Sequence, residues 1–206
     1  MKTLTKEMQS HLSPQMALDI LKEGNKRFVN NIKVNRNLLQ QVNETSEGQH
    51  PFAVVLSCID SRTSAELIFD QGLGDIFSVR IAGNIVNDDI LGSMEFGCKV
   101  AGAKLIVVLG HTKCGAIKGA CDHVEMGNLT GLLRKIKPAV DAEFTVNENR
   151  TSSNANFVEN VAALNVKESV KLISERSLIL REMIEKGEIN IVGGIHEIST
   201  GEVIFS

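Results

Sequence analysis

Short apolar runs alternate with amphipathic segments along most of this chain. Apolar runs bounded by turn residues are typical of strands buried on both faces of a sheet. The predicted strands cover 52–58, 75–81, 104–110 and 189–195. Helical spacing follows near 64–71, near 87–102 and from about Cys114. Because strands and helices alternate, the pattern predicts an α/β fold with a central, mostly parallel sheet flanked by helices.

The two ends of the chain extend this core. Ser13 and Pro14 resemble a helix start, and the apolar spacing over 14–30 predicts an amphipathic helical arm. This helix is followed by a polar connection over 31–50. After a surface loop, one helix is predicted from about Val158 to Lys186, with a short antiparallel edge strand near the C-terminus at 202–205. We therefore expect a single domain, 1–206, with an N-terminal helical arm (1–50) and an α/β core (51–206).

Composition narrows the range of functions. The chain has 206 residues, 43% of them hydrophobic and 23% charged, as in ordinary globular proteins. A net charge of −3 and the absence of Trp and Tyr give no reason to expect nucleic acid or an anionic membrane as a partner. No segment approaches the roughly 20 apolar residues of a membrane span. Four cysteines are too few for a disulfide scaffold, so a cytoplasmic, reducing location is expected.

Candidate metal ligands follow two of the predicted strands directly. Cys58 ends the first apolar run, and His111 and Cys114 follow the third. The carboxyl ends of parallel strands meet at one edge of a sheet, where α/β proteins place their chemistry. Two thiols and one imidazole form a three-ligand zinc set that leaves a coordination position open. The sequence therefore predicts one zinc ion (Zn²⁺) per chain.

Each of these residues also has a plainer interpretation. Cys58 and Cys114 taken singly fit small buried hydrophobic positions, which free cysteines often occupy. The other cysteines, Cys98 and Cys121, are interpreted as core thiols without a role. Three other histidines are isolated and are interpreted as surface or satisfied residues: His11, His50 and His196.

A carboxylate and a guanidinium lie close behind the first cysteine. Asp60 and Arg62 fit either a structural ion pair or a dyad that serves the metal. Beside a cation, Arg62 can hold Asp60 by two hydrogen bonds and leave the fourth metal position to water. Asp60 can then accept a hydrogen bond from that water and orient it.

At this point the chain resembles the β-class carbonic anhydrases. Cys58-x-Asp60-x-Arg62 and His111-x-x-Cys114-Gly115 match the two signature motifs of that family, and 80–84 resembles its R-x-A-G-N stretch. The resemblance implies reversible hydration of carbon dioxide to bicarbonate by attack of zinc-bound hydroxide on CO2. It also implies that Asp60 and Arg62 act as a gating and orienting dyad.

The resemblance further suggests a substrate pocket of the plant-like branch. It implies that Gln49 hydrogen-bonds bicarbonate, that Phe77 lines an apolar CO2 pocket, and that the small Gly115 lets substrate approach the metal. Phe96 stands where that branch usually has Tyr, and Val55 stands where a bicarbonate-inhibited branch has Trp. Family members complete such pockets with a partner subunit. A homodimer, or a dimer of dimers, is therefore expected, with the apolar face of 14–30 buried on the neighbour.

Two other functions remain open at the level of sequence. Relatives with the same zinc motifs hydrolyse carbon disulfide or carbonyl sulfide, because zinc-bound hydroxide attacks any small linear heterocumulene. Access to the site decides which substrate is used. A non-catalytic binding module stabilised by zinc is the third candidate, and it requires that protein close the fourth metal position permanently.

Overall fold

Five strands form one sheet in the computed structural model, which describes residues 3–206. They are β1 Ala53–Ser57, β2 Ile76–Arg80, β3 Leu105–His111, β4 Asn190–His196 and β5 Val203–Phe205. Their spatial order is β2-β1-β3-β4-β5. Strands β1 to β4 are parallel, and β5 runs antiparallel to β4 at the edge. The predicted α/β class, the mostly parallel sheet and the C-terminal edge strand are confirmed.

Helices cover both faces of the sheet and its carboxyl edge. They are α1 Lys6–His11, α2 Pro14–Val29, α3 Leu38–Glu44, α4 Ala65–Ile68, α5 Asp88–Glu95, α6 Gly115–Cys121, α7 Gly127–Leu133, α8 Lys137–Ala142, α9 Ala155–Arg176 and α10 Leu178–Glu185. A 3₁₀ turn lies at Ala82–Asn84, and a π-helix at Phe96–Val100 continues α5. Within residues 3–206, none of the helices is long and apolar enough to cross a membrane.

The two central strands explain why the sheet is stable. Every residue of β1 and β3 is buried. Val54 and Leu56 face a core formed mainly with α5, α9 and α10, whereas Ala53 and Val55 face a core formed with α2 and α4. Each fully buried Val or Leu side chain contributes roughly 1.5–3 kcal/mol. The sheet therefore forms a rigid platform whose carboxyl ends are fixed in position.

Several sequence expectations about the helices were wrong. The polar connection contains the seven-residue helix α3, whose start is capped by the side chain of Asn37 accepting the N–H of Gln40. The long C-terminal helix is two helices, because the hydroxyl of Ser177 accepts the N–H of Leu180 and begins α10. Helices α7 and α8 were not predicted, since each spans fewer than eight residues.

The amphipathic face of α2 also differs from expectation. It was predicted to be buried on a neighbouring subunit, but Ala17, Leu18 and Leu21 are buried within their own chain. They pack with Phe52 and the second face of the sheet. Other apolar side chains of this region stay exposed: Met16, Phe28 and Val29 in α2, and Leu38, Leu39 and Val42 in α3.

A third apolar cluster surrounds the carboxyl ends of β1 and β3. It is formed by α6 to α8 and the first turns of α9, and it includes the buried side chains of Ile117, Ile136 and Phe157. Cys58 and Cys114 belong to the same cluster. The candidate chemistry therefore lies in a part of the fold that is packed on several sides.

Candidate active site

Three potential ligands converge where two neighbouring strands end. Cys58 follows β1 directly, His111 is the last residue of β3, and Cys114 occupies the N-cap position of α6. Because β1 and β3 are paired in register, these positions come together: the Sγ atoms of Cys58 and Cys114 are 3.9 Å apart. All three ligand atoms lie within 4.8 Å of one another, and all three residues are buried.

The donor set fits a zinc ion. Zinc–sulfur bonds of about 2.3 Å in a tetrahedral site place two sulfurs about 3.8 Å apart, close to the distance between Cys58 and Cys114. The Nδ1 of His111 donates to the carbonyl of Thr112 at 2.9 Å, so the tautomer leaves Nε2 as an acceptor. This Nε2 atom is buried and has no hydrogen-bond partner. A buried, unpaired nitrogen is costly unless it serves as a ligand.

The protonation of Cys58 distinguishes this thiol from the cysteines outside the ligand set. Cys58 and Cys114 interact strongly: the contact with Cys114 lowers the pKa of Cys58, and the same contact raises the pKa of Cys114. His111 also lowers the pKa of Cys58. By contrast, burial raises the pKa of Cys98 to about 12 and that of Cys121 to about 11. Cys98 and Cys121 are therefore inert thiols at neutral pH.

Asp60 and Arg62 form a bidentate ion pair beside the ligand set. Arg62 donates to Oδ1 of Asp60 from its backbone N–H at 3.0 Å and from Nε at 2.9 Å, and to Oδ2 from Nη2 at 2.7 Å. The hydrogen bonds from Arg62 hold the pKa of Asp60 far below its usual range. The carboxylate is therefore charged at any physiological pH and fixed in direction.

The stretch that resembles R-x-A-G-N supports the first ligand. Arg80 donates from Nε to the carbonyl of Cys58 at 3.0 Å and from Nη2 to the carbonyl of Asp60 at 2.6 Å. The N–H of Gly83 points to Cys58 Sγ at 3.3 Å. Gly83 has φ +66°, and a Cβ there would come within 2.7 Å of Ile136. Glycine is thus required for the backbone to approach the thiol.

The expected pocket residues do not surround the ligands within one chain. Phe77 and Phe96 make an edge-to-face contact with ring centroids 6.2 Å apart, and both line a cavity of about 670 Å³. Gln49 lines a different cavity, between α3 and Gly74. Neither cavity is lined by any of the three ligands. Of the expected pocket residues, Gly115 adjoins Cys114, and a Cβ there would meet no atom within 4 Å.

One histidine beside the ligand set was misassigned. His196 was expected to be a surface or satisfied residue, but it is 3% exposed and its Nδ1 has no hydrogen-bond partner. It pairs in register with His111 across β3 and β4. Burial, reinforced by His111, lowers the pKa of His196 to about 4. Its position immediately after the predicted strand 189–195 was the signal that could have identified it.

Comparisons of sequence point in the same direction as the geometry. A family model described as carbonic anhydrase matches residues 53–203, which include the three potential ligands and the ion pair. Carbonic anhydrase 2 of Mycobacterium tuberculosis is 36% identical over 196 residues, covering 93% of this chain and 92% of that protein. Carbonic anhydrase of Mycolicibacterium smegmatis is 35% identical over 193 residues, with the same two coverages.

The fold is also shared with solved structures. The β-carbonic anhydrase CafA of the fungal pathogen Aspergillus fumigatus aligns with a TM-score of 0.69 at 25% identity. That alignment covers 93% of this chain and 89% of CafA. The similarity therefore extends over the arm as well as the sheet.

Proposed function

The chain belongs to the β-class carbonic anhydrase family, and we propose that Cys58, His111 and Cys114 hold its zinc ion. The protein is a zinc enzyme that converts carbon dioxide and water reversibly to bicarbonate and a proton. The observation that carries the ligand assignment is the buried, unpaired Nε2 of His111 beside two thiols with zinc-compatible spacing.

Asp60 and Arg62 are proposed to direct the water that attacks carbon dioxide. When bound, zinc supplies a Lewis acid that makes a water molecule nucleophilic at neutral pH. The two oxygens of Asp60 accept three hydrogen bonds from Arg62, and a carboxylate has about four acceptor sites. One site thus remains for the attacking water. Because Arg62 holds both oxygens, Asp60 is kept from taking the coordination position itself.

We propose that the substrate pocket is formed by Gln49, Phe77, Phe96 and Gly115. Phe77 and Phe96 supply an apolar wall for CO2, and the amide of Gln49 supplies a donor for bicarbonate. The open space beside Gly115 supports its assignment as the approach to the metal. Membership of the plant-like branch stays a prediction, because it depends on these pocket roles.

The separation of these residues supports a homodimer, with a dimer of dimers as its extension. Gln49 lines one cavity, Phe77 and Phe96 line another, and Cys58 lines neither, so a single chain does not assemble the pocket. Helix α3 also presents Leu39, which is 77% exposed. Covering such apolar surface stabilises an interface by roughly 25 cal/mol per Å². We therefore propose that a partner subunit supplies part of each pocket.

We propose a reducing, cytoplasmic location from the state of the cysteines. All four cysteines are free, and the distance between Cys58 and Cys114 suits a shared metal. An oxidising compartment would place these two thiols at risk of oxidation and would remove the ligand set. Fractionation of the source cells, with detection of this chain, tests the location.

A stopped-flow assay of CO2 hydration on protein of measured zinc content tests the proposed function. We expect activity proportional to bound zinc and loss of both in Cys58→Ala. Hydrolysis of carbon disulfide is measured in parallel. Hydrolysis of carbon disulfide without hydration of CO2 would favour the alternative function, a hydrolase of carbon disulfide or carbonyl sulfide. Zinc-loaded protein inactive in both assays would favour a binding module.

A further inference from the structure

One peptide unit lies between the proposed zinc ligand His111 and a carboxylate on helix α9. The carbonyl of Thr112 accepts the Nδ1–H of His111 at 2.9 Å. The N–H on the other side of the same peptide, that of Lys113, donates to Oε1 of Glu159 at 2.9 Å. Carboxylate, peptide and imidazole therefore form a continuous chain of hydrogen bonds that leads to the Nε2 proposed to bind zinc.

The backbone is distorted where this chain passes through it. Lys113 has φ +57°, in the left-handed region that side-chain-bearing residues rarely adopt. Such conformations persist only where surrounding contacts enforce them, and they cluster at functional sites. A trans peptide points its carbonyl and its N–H in opposite directions. The Thr112 carbonyl therefore faces His111 while the N–H of Lys113 faces Glu159.

The side chain of Thr112 fixes the same peptide from a second direction. Its hydroxyl donates to Glu197 at 3.1 Å and accepts the N–H of Ile198 at 3.1 Å. Its own N–H donates to the carbonyl of His196 at 3.0 Å, which extends the pairing of β3 and β4. The turn after β3 is thus tied to the turn after β4. The next N–H along the chain, that of Lys113, donates to Glu159.

We infer that Glu159 is a positioning residue that acts on His111 through the peptide between Thr112 and Lys113. Metal-binding histidines commonly donate their second ring N–H to a carboxylate or a carbonyl, which orients the ring and raises its basicity. Here a carbonyl receives that N–H, and the carboxylate acts one peptide further away. Because linked hydrogen bonds polarise one another, the charge of Glu159 makes the Thr112 carbonyl a stronger acceptor.

The inference rests on the proposed role of His111 as a zinc ligand, and the experiment separates the two claims. The zinc dissociation constant is measured by competition with a chelator, first for His111→Ala. Wild-type affinity in His111→Ala overturns the ligand assignment itself. If His111→Ala loses zinc, the Glu159 variants then test the positioning role alone.

Two substitutions at Glu159 separate the effect of its hydrogen bond on zinc affinity from the effect of its charge. Outer partners of metal ligands are worth about 10- to 100-fold in affinity, so Glu159→Ala is expected to weaken zinc binding about tenfold. Glu159→Gln keeps an acceptor oxygen but loses the charge, and we expect a smaller weakening. Glu168→Ala is the matched control, because it removes the same charge from the same helix nine residues further on; its affinity is expected to match wild type.

A spectroscopic measurement distinguishes positioning from a general loss of stability. In cobalt-substituted protein, the exchangeable Nδ1 proton of a ligating His111 gives a shifted proton resonance. We expect this proton to exchange with solvent faster in Glu159→Ala than in wild type or Glu168→Ala. Unchanged exchange and unchanged zinc affinity in Glu159→Ala overturn the inference. Equal losses in Glu159→Ala and Glu168→Ala also overturn it, since net charge alone then explains the effect.

Discussion

The proposed metal centre and the proposed substrate pocket differ in how much of each a single chain provides. Cys58, His111 and Cys114 are buried, lie within 4.8 Å of one another and are supported by hydrogen bonds from their own chain. Phe96 is 54% exposed, and Gln49 lines a cavity apart from it. One chain therefore brings the proposed ligands together, but it does not bring the proposed pocket residues together.

The proposed ligand set depends on the fold of one chain, whereas the proposed pocket depends on the contact between two chains. Cys58 and His111 are fixed by the ends of two paired strands, and Cys114 by the start of α6, so the geometry of the proposed ligands follows from one chain. Of the proposed pocket residues, Phe77 lies on the edge strand β2, Phe96 on the π-helix after α5 and Gln49 after α3, where a second subunit can approach. Gly115 alone lies beside a proposed ligand. Zinc binding should therefore survive dissociation of the subunits, whereas CO2 hydration should not.

Removing a ligand should have the largest effect, because it breaks the proposed ligand set. Cys58→Ala leaves two ligands, and we expect loss of both zinc and CO2 hydration. Cys121→Ala is the matched control, since that thiol is equally buried but lies outside the ligand set. Metal analysis and stopped-flow assays measure the outcome. Full zinc occupancy in Cys58→Ala would remove this cysteine from the ligand set.

Breaking the dyad should affect chemistry while sparing the metal. Arg62→Ala frees both oxygens of Asp60 to compete for the coordination position, so activity is expected to fall about 10- to 100-fold with zinc retained. Arg62→Lys should recover little, because a lysine cannot reproduce the bidentate contact. A fully active Arg62→Ala enzyme would contradict the orienting role of the pair.

Disturbing the proposed interface should lower CO2 hydration and leave zinc binding unchanged. Leu39→Glu places a charge on the exposed face of α3, where a monomer would tolerate it. If this side chain is a central contact, the subunit dissociation constant should rise about 30-fold, for about 2 kcal/mol. Light scattering, zinc content and CO2 hydration are measured on the same samples. A variant with unchanged mass and activity removes α3 from the interface.

The smallest effect is expected at a buried carboxylate, Glu143, that belongs to neither region. Burial alone would raise the pKa of Glu143, but hydrogen bonds led by Thr145 outweigh it and lower the pKa from 4.5 to about 2. Arg150 pairs with the same carboxylate at 3.0 Å. Because the folded pKa is depressed, this contribution is present above pH 4.5 and is lost as the pH falls toward 2.

Acid unfolding of two proteins tests this carboxylate. The free energy of unfolding of wild type should decline across that interval, and the decline should be smaller in Glu143→Gln. Parallel declines in the two proteins would mean that other groups control acid stability.

The parts of the site that follow strands could be predicted from sequence. Cys58 and His111 come directly after apolar runs, and the contact between Asp60 and Arg62 spans two residues, so local pattern and sheet topology suffice. The metal was predicted for the same reason. These features depend on where strands end, which hydrophobic periodicity reports well.

Features that depend on distant or competing contacts could not be predicted in this way. Ser177 breaks a helix because its hydroxyl competes for a backbone N–H, which apolar spacing does not reveal. Glu159 reaches the backbone of a residue 46 positions away. The face of α2 was assigned to a neighbour because periodicity shows that a face is apolar and does not show what covers it.

Mixing two inactive variants tests most directly whether the pocket is shared between subunits. One protein carries Cys58→Ala, and the other carries Phe77→Ala or Gln49→Leu with its zinc centre intact. If sites are shared, exchange of subunits creates heterodimers in which one site contains only wild-type residues, and CO2 hydration should reappear on mixing. Each variant alone should stay inactive. Absence of recovered activity, with subunit exchange demonstrated by mass spectrometry, would contradict the account.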